Sequence, residues 1–130
     1  MARKTFETAC DFPEWPYEGR TVVVLSEREL ALPPRLSGKV VANGGAPAAI
    51  VARLAADGHR HLYIDGGLTI RRFLAAGLIT ELTLTRVPVL LGDGLPLFAA
   101  DGAGGQLEHL QTSAAANGLV QSRYRVLPPG

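Results

Sequence analysis

The sequence predicts an α/β fold: a mixed, mostly parallel sheet flanked by helices, with antiparallel strands at the C-terminus. Three observations point there. Val22-Val23-Val24-Leu25 is a short, continuous, β-branched run, the pattern of a strand buried on both faces. Strand and helix patterns alternate through the first two-thirds of the chain, as they do around parallel sheets. The last third holds two further strand-like runs, Gln106–Thr112 and Leu119–Val126, and the intervening Ala114–Gly118 reads as a hairpin connection.

Each element has a local reason. Arg3–Cys10 has room for about two helical turns. Asp11–Arg20 contains Pro13, Pro16 and Gly19, so it is a loop. Thr21–Ser26 is the clearest strand, and Lys39–Ala42 is a weaker second one. Asn43-Gly44-Gly45 then turns the chain. Pro47 suits the first turn of a helix, and Ile50, Val51 and Leu54 follow at helical spacing up to Ala56. Gly58 is a fitting left-handed cap. His61–Asp65 reads as a third strand, running into Gly66-Gly67 and a short helix, Thr69–Ala76, closed by Gly77. Thr80–Leu91 is a long apolar strand whose end Pro88 demotes to an edge or bulge. Gly92–Gly94 turns the chain, and Pro128–Gly130 reads as a frayed end.

The bulk properties narrow the function. A chain of 130 residues argues for one domain, 1–130, large enough to bury roughly two-thirds of its unfolded surface. A formal net charge of +1 gives no reason to expect nucleic acid or an anionic membrane as partner. No apolar run approaches the roughly 20 residues of a membrane helix. Cys10 is the single cysteine, which excludes a disulfide within the chain. The N-terminus has no apolar stretch of signal-peptide type. A cytoplasmic location is the expectation.

Three stretches could carry chemistry. Ile64-Asp65-Gly66-Gly67-Leu68-Thr69 runs a strand through two glycines into a helix, a layout that lets backbone approach a phosphate. It fits an ordinary tight strand–helix turn equally well, and it lacks the third glycine of the Rossmann fingerprint. Arg3-Lys4-Thr5 sets two cations and a hydroxyl at a helix start, suited to phosphate or simply to a solvated terminus. Ser26-Glu27-Arg28 leaves the strongest strand and is either a polar strand exit or part of a ligand rim. In open α/β sheets ligands bind beyond the carboxyl ends of strands. Their positions after strands or before helices would bring all three stretches to one such rim.

Arg3-Lys4-Thr5-Phe6-Glu7 resembles the G-R-x-T-[FY]-E motif of dihydrofolate-reductase-like proteins. Trp15-Pro16-Tyr17 followed by Val22–Ser26 matches that family's next loop and strand, and Ile64-Asp65-Gly66-Gly67 its pyrophosphate turn. Gly77-Leu78-Ile79-Thr80-Glu81-Leu82 is similar to its G-L-[IV]-D-E-L segment. Pro88–Phe98 is similar to P-V-L-L-G-x-G-x-P-L-F, the most specific of the motifs. They occur in family order over nearly the whole chain, and the riboflavin-biosynthesis reductase domain is the nearest branch.

The resemblance implies a dihydrofolate-reductase-like fold and an NADPH-dependent oxidoreductase. The acceptor it implies is a ribosylamino-pyrimidine phosphate, or a related small carbonyl or pterin compound. Arg3, Lys4 and Thr5 would hold phosphates. Leu25, Ser26 and Arg28 would line the adenine and 2′-phosphate side. Gly66, Gly67, Leu68 and Thr69 would wrap the pyrophosphate, with a cis Gly66–Gly67 bond as in many relatives. Asp65 stands where riboflavin reductases often carry an acidic residue near substrate. The resemblance also shows departures. Ala2 replaces the motif glycine, Thr80 replaces an aspartate, and the family's first strand and helix have no counterpart before Arg3. A sheet lacking a central strand exposes ladder groups on its neighbours, so a homodimer is the expected compensation. The alternative is a truncated, non-catalytic relative keeping the fold, the dimer surface and nucleotide binding.

Other residues favour plainer roles. His59 and His61 lack the further ligands a metal site needs, so no metal is expected. His109 reads as a surface residue. Cys10 has no histidine partner in its sequence context. Arg71 and Arg72 either face solvent or meet a substrate phosphate. Trp15 and Phe98 read as packing residues.

Overall fold

The structure is a computed structural model that describes residues 1–98 and 104–128. Pro129 and Gly130, the end of the expected frayed tail, lie outside the described residues. The chain divides into two compact units, Met1–Arg72 and Phe73–Gly130.

The first unit opens with helix α1 (Arg3–Cys10). Strands β1 (Val22–Leu25) and β2 (Val40–Asn43) pair in parallel, Val22 opposite Val40 and Leu25 opposite Asn43. A 3₁₀ turn, Pro34–Leu36, lies between them in sequence. Its Leu36 joins Phe6, Val22, Val24 and Val40 in one buried cluster, with Met1, Cys10, Trp15, Tyr17 and Leu30 packed against it. Val24 is wholly buried, as the continuous apolar run requires. The Trp15 ring meets Phe6 and Tyr17 edge-on, at centroid separations of 6.1 and 5.3 Å. Trp15 is thus a packing residue, as the sequence predicts.

Helix α2 (Pro47–Ala56) starts on its proline and ends at Gly58, which takes φ +90°. The amides of Gly58 and His59 donate back to Ala55 and Leu54, satisfying carbonyls that the helix end leaves open. Helix α3 (Gly67–Ala75) is closed in the same way by Gly77, at φ +71°. Leu78 donates to Phe73 and Gly77 to Leu74.

In the second unit, β3 (Glu81–Arg86), β4 (Leu107–Ala114) and β5 (Val120–Val126) form an antiparallel sheet in the order β3-β5-β4. The β4–β5 connection is the expected hairpin, closed by Ala115 donating to Leu119 and Gly118 donating to Ala115. A slip in register occurs between His109 and Gln111. Arg123 pairs with Glu81 and Arg125 with Glu108 across the strands. His109 is exposed, as expected, and its ring meets Tyr124 edge-on. Phe98, read from sequence as packing, is 45 % exposed.

Two elements differ from the sequence reading. β3 stops at Arg86 rather than continuing to Leu91, because Pro88 has no amide for a ladder. His61–Asp65 is not a strand: no ladder reaches it among the described residues, and Tyr63 is 94 % exposed. Its composition favours a strand, but a strand exists only through a neighbour's hydrogen bonds.

Candidate functional site

The residues singled out from sequence for cofactor binding and catalysis lie in the first unit, and Ala2 joins their three stretches. Ala2 forms a parallel bridge with Leu25 at the end of β1. The Leu25 amide donates to the Met1 carbonyl at 2.9 Å, and the Met1 ammonium donates to the Val23 carbonyl at 2.6 Å. On its other side Ala2 abuts the paired glycines: a Cβ built on Gly66 would lie 3.4 Å from the Ala2 Cβ and 3.7 Å from the Thr69 hydroxyl. The basic first turn of α1, the exit of β1 and the Gly66–Gly67 turn therefore meet at one rim.

Each part has local chemistry. α1 begins without a side-chain cap and without an acidic residue in its first turn, leaving backbone donors at Arg3, Lys4 and Thr5 that favour an anion. Arg3 leans toward Glu7 at 3.8 Å. The Ser26 hydroxyl donates to the Arg28 carbonyl and accepts from the Arg28 amide, a local turn that fixes where Arg28 leaves the strand. Arg28 is exposed.

At the glycine turn, Gly66 takes φ +94°, a conformation that other residues rarely adopt. Its carbonyl accepts from Ile70 at 2.8 Å to start α3, and its amide donates to the Asp65 carboxylate at 2.9 Å. Thr69 is buried while Leu68 is 69 % exposed. The expected cis Gly66–Gly67 bond is corrected: there is no cis peptide bond among the described residues. The positive φ of Gly66 makes the turn with a trans peptide. Burial pushes the Met1 ammonium below the ordinary range for an N-terminus, and the charge of Asp65 opposes that shift. Asp65 thus holds the turn through the Gly66 amide.

The structure adds one loop that sequence reasoning treats only as a turn. The Asn43 carbonyl accepts from the Ser26 amide at 2.9 Å, and a Cβ on Gly44 would lie 3.2 Å from the Ser26 carbonyl. Arg53 from α2 donates to the Gly44 carbonyl, and Arg72 from α3 donates to the Gly45 carbonyl at 3.3 Å. The available signal was a second glycine pair directly after a strand. Arg71 lies partly buried beside Gly67. His59 and His61 gain no metal partners, since no cluster of metal-ligating side chains occurs among the described residues.

Residues 16–121 match the RibD C-terminal domain family. The chain belongs to that family. A solved protein of Shewanella sp. PV-4 assigned to riboflavin biosynthesis is 36% identical with a TM-score of 0.89. That alignment covers 98% of this chain and 72% of the relative. A pyrimidine reductase-like protein of Corynebacterium diphtheriae is 22% identical with a TM-score of 0.63, over 82% of this chain and 50% of that one. It shows likeness of fold. No curated protein matches the sequence. With these neighbours, the helices, parallel pair and antiparallel sheet of the RibD C-terminal domain chain are of the dihydrofolate-reductase-like type.

Proposed function

We propose that this chain is an NADPH-binding reductase domain acting on a ribosylamino-pyrimidine or a related small carbonyl or pterin compound. The observation that carries the reading is the contact of Ala2 with both Leu25 and Gly66, because it gathers the three phosphate-suited stretches. The residues present fit a dinucleotide. Gly66 leaves a cradle that a side chain would fill, and the uncapped start of α1 stands beside it. In this reading Arg3, Lys4 and Thr5 offer donors to phosphate. Gly66, Gly67, Leu68 and Thr69 surround the pyrophosphate. Leu25 and Ser26 border the adenosine, and Arg28 pairs with a 2′-phosphate.

When bound, NADPH supplies a hydride to the acceptor. The protein's share is orientation and charge: the glycine turn fixes the dinucleotide, and Asp65 holds that turn through the Gly66 amide while placing a carboxylate near substrate. Membership of the RibD C-terminal domain family and likeness to a riboflavin-biosynthesis protein and a pyrimidine reductase-like protein support this assignment. A second reading, nucleotide binding without turnover, is favoured by one observation. Among the described residues no ladder reaches His61–Asp65, and Tyr63 within it is exposed, instead of the segment forming a strand beside the site. A homodimer that covers this segment reconciles the two.

Calorimetric titration with NADPH tests binding, and loss of reduced-nicotinamide absorbance with a ribosylamino-pyrimidine phosphate tests turnover. One saturable site with turnover supports the reductase. A saturable site without turnover, in a dimer as well as a monomer, supports the binding-only reading. No saturable site removes both.

A further inference from the structure

The strongest unassigned feature is the pair of arginines that converge on the Asn43–Gly45 turn. Arg53 lies on α2 and Arg72 on α3, yet their guanidinium groups take adjacent carbonyls, Gly44 and Gly45. Side chains on a helix lean toward its N-terminus, which lets Arg53 reach back along α2 to the turn before it. The same turn is tied to the β1 exit by the Ser26 amide on the Asn43 carbonyl. Gly44 packs so closely there that an added Cβ would press on the Ser26 carbonyl at 3.2 Å. The Asn43 side chain also accepts from the Gly44 amide at 3.0 Å.

The turn is short of other restraint. Gly45 takes φ +107° and lies exposed, and α2 starts without a side-chain cap. Two consecutive glycines are the most freely moving backbone a chain can have, so an unheld Gly44–Gly45 would sample many positions beside Ser26. A hydrogen bond from a charged donor is about twice as strong as a neutral one. Two of them on neighbouring carbonyls, from two different helices, select one position. Arg72 also links this turn to the helix that follows Gly66–Gly67, so one side chain connects both glycine pairs.

We propose that Arg53 and Arg72 are positioning residues that hold the Asn43–Gly45 turn against Ser26 and thereby set the adenosine end of the dinucleotide site. The inference rests on the dinucleotide reading above for what the turn serves, but not for whether the clamp exists. The arginines act through the backbone, so they affect NADPH and NADH alike, unlike Arg28.

Amide hydrogen exchange on the full chain, without ligand, tests the clamp. Arg53→Ala with Arg72→Ala together should speed exchange at residues 43–46 by about tenfold, with a melting temperature lowered by no more than about 6 °C. Arg53→Lys with Arg72→Lys, which keeps two charged donors, should restore most of the protection. Unchanged exchange in the alanine pair, or no recovery in the lysine pair, overturns the clamp. Titration with NADPH and NADH tests its purpose. The alanine pair should weaken both by about the same factor, near tenfold, and an unaltered NADPH affinity overturns the positioning role. A native chain that binds neither nucleotide sinks the dinucleotide reading, while the exchange comparison still decides the clamp.

Discussion

Replacing Gly66 by alanine separates the two demands made on this glycine. Its φ of +94° costs an L-residue about 1–2 kcal/mol. The added methyl meets the Ala2 Cβ at 3.4 Å and the Thr69 hydroxyl at 3.7 Å, contacts close enough to fill the cradle but too loose to unfold the turn. At about 4 °C per kcal/mol for a chain of this size, Gly66→Ala should lower the melting temperature by about 4–8 °C. Gly58→Ala is the control. It shares a left-handed backbone, φ +90°, but nothing lies within 4 Å of its added Cβ. Both variants should lose similar stability by circular dichroism. Only Gly66→Ala should weaken NADPH, by about tenfold or more, read by calorimetry or by quenching of Trp15 fluorescence. Equal nucleotide affinities in the two variants, at equal stability loss, would refute the claim that Gly66 is empty for a ligand's sake.

Three further outcomes follow from the same geometry. Arg28→Ala should weaken NADPH at least several-fold more than NADH in parallel titrations; equal losses would remove Arg28 from any 2′-phosphate contact. Val24→Ala, at a wholly buried position in the core cluster, should destabilise the chain by about 2 kcal/mol in urea unfolding, and a change below about 0.5 kcal/mol would contradict that core. Burial pushes the Cys10 thiol above its ordinary range, so iodoacetamide should modify it more slowly than a free thiol at mildly alkaline pH. Its folded form keeps the proton where the unfolded thiol releases it, so the Cys10 contribution to stability falls as pH rises past the unfolded pKa. Faster alkylation than a free thiol would reverse that assignment.

Much of this was legible in the residues. The valine run, Pro47, Gly58, Gly77 and the Ala114–Gly118 connection each state a local rule that the structure obeys. Elements depending on a distant neighbour were less legible. His61–Asp65 has a strand's composition, but no ladder forms on it among the described residues, and composition cannot report that. The site shows the same division. Arg3–Thr5, Ser26–Arg28 and Gly66–Thr69 stand out as types of residue at types of position, whereas their meeting at Ala2 is a tertiary fact. The contacts of Arg53 and Arg72 with the Asn43–Gly45 turn escape sequence reasoning, because an arginine nine residues after a glycine, or on another helix, leaves no periodic signal.

Backbone amide spectra of the isotope-labelled chain, recorded as NADPH is added, probe the shared rim most directly. Amides of Ala2–Thr5, Ser26–Arg28 and Gly66–Thr69 should shift together along one saturation curve, while those of β4 and β5 stay still. Saturable shifts confined to a different surface, or none at all, would contradict a single nucleotide site built around Ala2.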